Sequence, residues 1–116
     1  FHVYAVEWEP GEIRWSVDGE VWATQTFWWS CSRLRNGRGV VARSSADLNA
    51  WPAPFDQPFY IVMNVAVGGN FPGVPNPATQ FPAELVVDYV RVYDRVGGYG
   101  EPAPRGKGRL PYQKKR

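Results

Sequence analysis

EIRWSVDGEVWATQTF, from Glu12 to Phe27, decides the class of fold. Ile13, Trp15 and Val17 alternate with Arg14, Ser16 and Asp18, the period of a strand with one apolar face. Asp18-Gly19 then supplies two residues that tolerate positive φ, a strong signal for a two-residue hairpin, before EVWATQTF resumes the strand pattern. Upstream, FHVYAVEWE (Phe1 to Glu9) is rich in β-branched and aromatic residues and runs into the turn signal Pro10-Gly11. Three consecutive antiparallel strands are expected. Downstream, Phe59 to Val67 and AELVVDYVRVYDR (Ala83 to Arg95) read as further strands, the last apolar on both faces. Arg33 to Asn49, Arg-rich with Gly37 and Gly39, reads as a long surface loop, and Pro52, Pro54 and Pro58 punctuate the entry into the strand at Phe59. No stretch of about ten residues favours a helix. The expected class is all-β, with short strands and Gly/Pro turns suggesting an antiparallel β-sandwich or jelly roll.

The 116 residues bound the chain at one domain or less. An aromatic fraction of 16% with six Trp argues against disorder and exceeds what packing alone requires, so some rings are expected to face a ligand. Cys31 is the sole cysteine, which excludes an internal disulfide. The net charge of +2 is unevenly spread: Arg95 to Arg116 holds seven basic residues and one acid, leaving the rest net acidic. That tail, GGYGEPAPRGKGRLPYQKKR after Val96, reads as a flexible, solvated extension, with contact to a polyanion or membrane surface as the alternative. No apolar run approaches the ~18 residues of a membrane span, and no segment has the pattern of a signal peptide. Nothing else suggests a nucleic-acid partner. The chain opens on Phe1, already inside a strand pattern, so the native N-terminus is expected upstream.

Candidate site residues stand out where polar or aromatic groups break the pattern. FDQPFYIVMNVAVGGNFPG, Phe55 to Gly73, carries one amide, Asn64, in an apolar strand. A buried amide is costly without partners, so Asn64 either bonds to backbone inside a core or points into a cleft where a ligand supplies them. Gly68 and Gly69 allow a sharp bend and close backbone approach to a ligand. In TFWWS, Trp28 and Trp29 point to opposite faces, so one indole is expected inside and the other free to stack on a ligand. Trp29 is the preferred platform and Trp28 the fallback if the face is inverted. Trp51, between Ala50 and Pro52, is either a cleft rim or a loop anchor. Trp8 and Trp15 sit in regular alternation and read as core; His2 receives no role.

FHVYAVEW, EIRWSVDG, PFDQPFYIVMNVAVGGNFPG and FPAELVVDYVRVYD, in this order and spacing, resemble the C-terminal half of the laminarinase-like endo-β-1,3-glucanases of glycoside hydrolase family 16. The resemblance covers residues 1–94, implying part of a concanavalin A-like jelly-roll domain followed by the tail at 95–116. It implies a β-1,3- or mixed-linked β-glucan polysaccharide or oligosaccharide as partner, retaining hydrolysis in the full enzyme, and a secreted or periplasmic location. It favours the cleft side for Asn64 and makes Phe71, where relatives often carry Trp, a further aromatic wall. It also implies a structural Ca²⁺ in the full-length protein with Asp88 as ligand. Calcium wants six to eight oxygens, so this chain alone is expected to bind it weakly or not at all.

The resemblance breaks at the chemistry. The family's Glu-x-Asp-x-x-Glu motif is absent, and its strand would lie upstream of Phe1. Retaining hydrolysis needs carboxyls about 5–5.5 Å apart. Glu84 and Asp88, four residues apart in a strand, would be about 13 Å apart; Glu7 and Glu9 reach roughly 6.6 Å. No catalytic residue is assigned, and the lone chain is expected to be inactive. Half a jelly roll is also expected to self-associate through its open faces and edges. Three classes of function remain: part of a β-glucan-cleaving hydrolase, a non-catalytic β-glucan-binding module, or a sandwich without a ligand, which six Trp argue against.

Overall fold

The computed structural model describes residues 1–32, 42–71, 73–111 and 113. The chain divides into two units, Phe1–Pro58 with Arg95–Arg116, and Phe59–Asp94. Part of the loop expected over Arg33–Asn49 lies outside the described residues.

The first unit is built on an antiparallel meander of β1 (Tyr4–Glu9), β2 (Glu12–Val17) and β3 (Glu20–Gln25), in that spatial order. Both turns follow from their residues. At Pro10-Gly11 the proline ring fixes φ near −65° and Gly11 takes φ +88°, as a type II turn requires. Asp18 and Gly19 both take positive φ, 52° and 84°, the primed turn whose twist matches the flanking strands. The register sets Tyr4, Val6 and Trp8 opposite Val17, Trp15 and Ile13, so one face is apolar. Between β2 and β3, Trp15 faces Ala23 and Ser16 faces Val21, leaving Trp22 as the extra residue of a β-bulge.

Asp18 also clamps the start of the chain. Its Oδ1 accepts from the Val3 amide at 2.8 Å and its Oδ2 lies 2.8 Å from His2 Nδ1, while its own amide donates to the Val3 carbonyl at 2.8 Å. The His2 contact and the Val3 amide hold the Asp18 carboxyl below its ordinary value. A depressed carboxylate stabilises the fold above the ordinary value, about 3.9, and the contribution disappears as pH falls through the depressed one. Exchange protection of the Val3 amide is therefore expected to hold from neutral pH to about pH 4 and fall below it. Asp18→Asn should flatten that profile; an unchanged profile would remove the clamp.

Among the described residues the core of this unit is small, with Ile13, Trp28 and Ala42 as its buried hydrophobic side chains. Trp8 and Trp15 depart from the expected burial. Trp8 is 38% exposed, and Trp15 is half-buried with its ring 6.4 Å from the exposed ring of Trp22. Alternation marks a face as apolar but does not supply the layer that would cover it.

In the second unit no strand forms among the described residues, which corrects the strands expected at Phe59–Val67 and Ala83–Arg95. Its residues are exposed almost throughout, with Tyr60 at 87% and Val92 at 78%. A segment apolar on both faces needs a ladder neighbour and packed layers to hold it as a strand, and the described residues supply neither. The order it has is local: Asn76 Oδ1 accepts from Ala78 N, Thr79 N donates to Asn76 O, and Arg91 lies over the Tyr89 ring at 4.2 Å. The described residues are thus all-β, with one 3₁₀ turn at Ser45–Asp47. The antiparallel sheet is of the kind that sandwiches are built from, and no second sheet forms among the described residues.

Candidate functional site

The Trp-rich segments of the first unit converge. After β3 the chain carries Trp28 inward, 9% exposed, and Trp29 outward, 39% exposed, as expected of neighbours on an extended chain. The WPAPF loop comes back to meet Trp28. Its turns close through Ala53 N to Ala50 O at 2.9 Å and Phe55 N to Pro52 O at 3.2 Å. Trp51 stacks on Trp28 with centroids 4.3 Å apart, and Phe55 meets Trp28 edge-on at 5.1 Å. Trp8 of β1 sets its ring at 84° to Phe55, 6.5 Å away.

The indole N–H groups of Trp8, Trp28 and Trp51 each have a carbonyl partner, so these rings are oriented as well as packed. Trp28 donates to Pro52 O at 2.7 Å, Trp8 to Phe55 O at 2.8 Å, and Trp51 to Ala103 O at 2.7 Å. The guanidinium of Arg105 lies 4.9 Å from the Trp51 ring centre, a cation over an electron-rich face. The segment expected as a solvated extension thus makes contacts here, with Ala103 N also donating to Pro10 O and Gly106 N to Thr26 O.

The opposite face of the sheet is ionic. Glu9 and Glu12 are direct cross-strand partners, a like-charge pair that repels on its own. Arg14, one pleat along β2 from Glu12, relieves it by binding three carboxylates: Glu7 at 2.7 Å, Glu9 at 3.2 Å, and Glu12. Arg95 adds a second cation on Glu9 at 2.8 Å. The hydrogen bond that Arg14 donates to Glu7 is the main cause that raises its guanidinium above the ordinary value, against the opposing effect of burial. With a guanidinium forked among them, these carboxylates form an ion-pair network. The adjoining cleft, lined by Glu9, Glu12, Arg95 and Glu101, holds about 190 Å³, below the ~300 Å³ at which ligand pockets begin.

Of the six residues expected to form a site, the structure brings Trp28 and Trp51 into contact and leaves Trp29 open beside them. Asn64, Phe71 and Asp88 belong to the second unit, where all three are exposed, Phe71 fully. Gly68 and Gly69, at φ +74° and +99°, make the bend that precedes Phe71. Around Asp88 the described residues do not fit a calcium ion by themselves. No group of three or more acidic, His or Cys side chains able to hold a metal exists among them. Sequence reasoning missed Phe55, Trp22 and Arg105. The alternating prolines of WPAPF foreshadow a tight turn able to present Phe55, whereas nothing in the sequence marks the bulge at Trp22 or the contact of Arg105.

The first unit thus combines an oriented aromatic cluster, one open indole and an antiparallel sheet. The chain that carries them is similar to known proteins. The chain is 48% identical over 94 residues, 80% of its length, to a β-glucanase of Rhodothermus marinus, of which it spans 28%. It is 44% identical over 96 residues to glucan endo-1,3-β-glucosidase A1 of Niallia circulans, spanning 12% of that protein. It is 31% identical over 116 residues to β-1,3-glucan-binding protein 2 of Manduca sexta, spanning 24%. The chain thus corresponds to less than a third of each. No family model matches it, and no solved structure does. The resemblance to laminarinase-like β-glucanases holds. No helix among the described residues is long and apolar enough to cross a membrane.

Proposed function

We propose that this chain is the glucan-contacting part of a laminarinase-like glycoside hydrolase of family 16, acting on β-1,3- or mixed-linked glucans in a secreted or periplasmic setting. Similarity to glucan-cleaving and glucan-binding proteins alike carries the reading. Its chemistry here is stacking: the apolar face of a pyranose lies on the open indole of Trp29, held in place by the buried Trp28 beside it. Asn64, bonding sugar hydroxyls, and Phe71, forming an aromatic wall, are further proposed glucan contacts of the full-length protein. A non-catalytic β-glucan-binding module is the second reading, favoured by the capture of Glu7, Glu9 and Glu12 by Arg14.

Trp29→Ala is expected to weaken laminarin binding by about 10-fold, the ~1.4 kcal/mol that one stacked ring contributes, with little change in melting temperature. Trp15→Ala should leave affinity nearly unchanged. Equal losses in both, at equal stability, would remove Trp29 from the site. For Asp88, the proposal is a single ligand to a Ca²⁺ whose other oxygens come from outside this chain. Full-length protein should melt higher in excess calcium than in chelator, and Asp88→Ala should abolish the difference. The same melting temperature in both solutions would deny Asp88 a metal role.

A further inference from the structure

We propose that residues 102–108 form a strap that occupies the sugar-stacking surface at Trp51 and competes with β-glucan for it. The proposal rests on the glucan-binding reading above and extends the site from Trp29 to Trp51. A sugar platform offers two handles, a ring face and an indole N–H. The strap takes both: Ala103 O accepts the Trp51 N–H at 2.7 Å, and the Arg105 guanidinium covers the ring at 4.9 Å. Trp28 already stacks on Trp51 at 4.3 Å. A pyranose can therefore reach the ring without breaking the core contact only by taking the place of Arg105.

The strap is seated by fit as well as by bonds. Ala103 N donates to Pro10 O at 2.9 Å and Gly106 N to Thr26 O at 2.6 Å. It passes so close that a Cβ on Gly106 would overlap the Thr26 hydroxyl and stand 3.0 Å from its carbonyl, and one on Gly108 would overlap the Phe27 ring. Its hold is incomplete in one respect. Arg105 Nε is buried with no hydrogen-bond partner, an uncompensated cost that release of the strap removes. Two states that exclude each other at one ring give a coupling in which ligand affinity is reduced by the fraction of chains with the strap in place.

The test pairs Gly106→Ala with Gly108→Ala in the full chain and follows two readouts, amide exchange at Ala103 and binding of soluble laminarin. The double variant should exchange faster at Ala103 without any glucan present and bind laminarin about fivefold or more tighter. In the unaltered chain, saturating laminarin should itself accelerate Ala103 exchange. Faster exchange with unchanged laminarin affinity overturns the competition while leaving the glucan reading intact. No laminarin binding by either form overturns that reading, and the competition with it. A chain ending at Glu101 is the second variant: tighter laminarin binding supports the strap as competitor, whereas failure to fold makes it a structural element and overturns the proposal.

Discussion

Trp28→Ala is expected to destabilise the first unit by about 3–5 kcal/mol, the cost of emptying a buried Trp site. The ring is 9% exposed and is the hub of the aromatic cluster, touching Trp51 at 4.3 Å and Phe55 at 5.1 Å. Its removal also leaves the Pro52 carbonyl without the N–H that it accepts at 2.7 Å. Because domains have only about 5–15 kcal/mol in hand, a unit whose described residues bury so few hydrophobic side chains has little reserve against such a loss. Denaturant midpoints of Trp28→Ala and Trp29→Ala measure it. Trp29→Ala should cost about 1 kcal/mol or less, as an open position does. Equal midpoints would mean that the cluster does not hold the unit together.

Laminarin incubated with this chain should yield no reducing sugar above background. Enzymes accelerate such reactions by about 10⁶-fold or more, and a retaining glycosidase draws on one carboxyl to attack the anomeric carbon and another to protonate the leaving oxygen. Glu7, Glu9 and Glu12 are the clustered carboxylates of the sheet, and their oxygens are engaged by Arg14. Release of sugar by pure protein, abolished by Glu7→Gln, Glu9→Gln or Glu12→Gln, would place a working acid in the network and overturn the expectation.

The meander was legible because its determinants are local. Alternation set the faces, and Pro10-Gly11 and Asp18-Gly19 set the turns, each within a few residues. The opposed burial of Trp28 and Trp29 follows from the same geometry. The segments around Asn64 and Asp88 were misread for the converse reason. Their apolar patterns describe strands that exist only when neighbours cover both faces, a condition that no single segment encodes. The seating of Ala103 and Arg105 at Trp51 was hidden too. Composition predicts how a Gly/Pro-rich basic tail behaves in water, not whether a carbonyl and a guanidinium meet an indole some 50 residues away.

The two tight turns bear on the order in which this chain acquires structure. Strands joined by two-residue loops pair with almost no loop-closure cost, so the meander can zip on the hairpin timescale of about 1–10 μs. The bond between Trp8 and Phe55 joins residues 47 apart, and that between Trp51 and Ala103 joins residues 52 apart. Such contacts raise the mean sequence separation and slow the search. The three strands are thus the part that a ribosome can release already shaped, the ring cluster follows once Phe55 has been made, and the Trp51 N–H waits for Ala103.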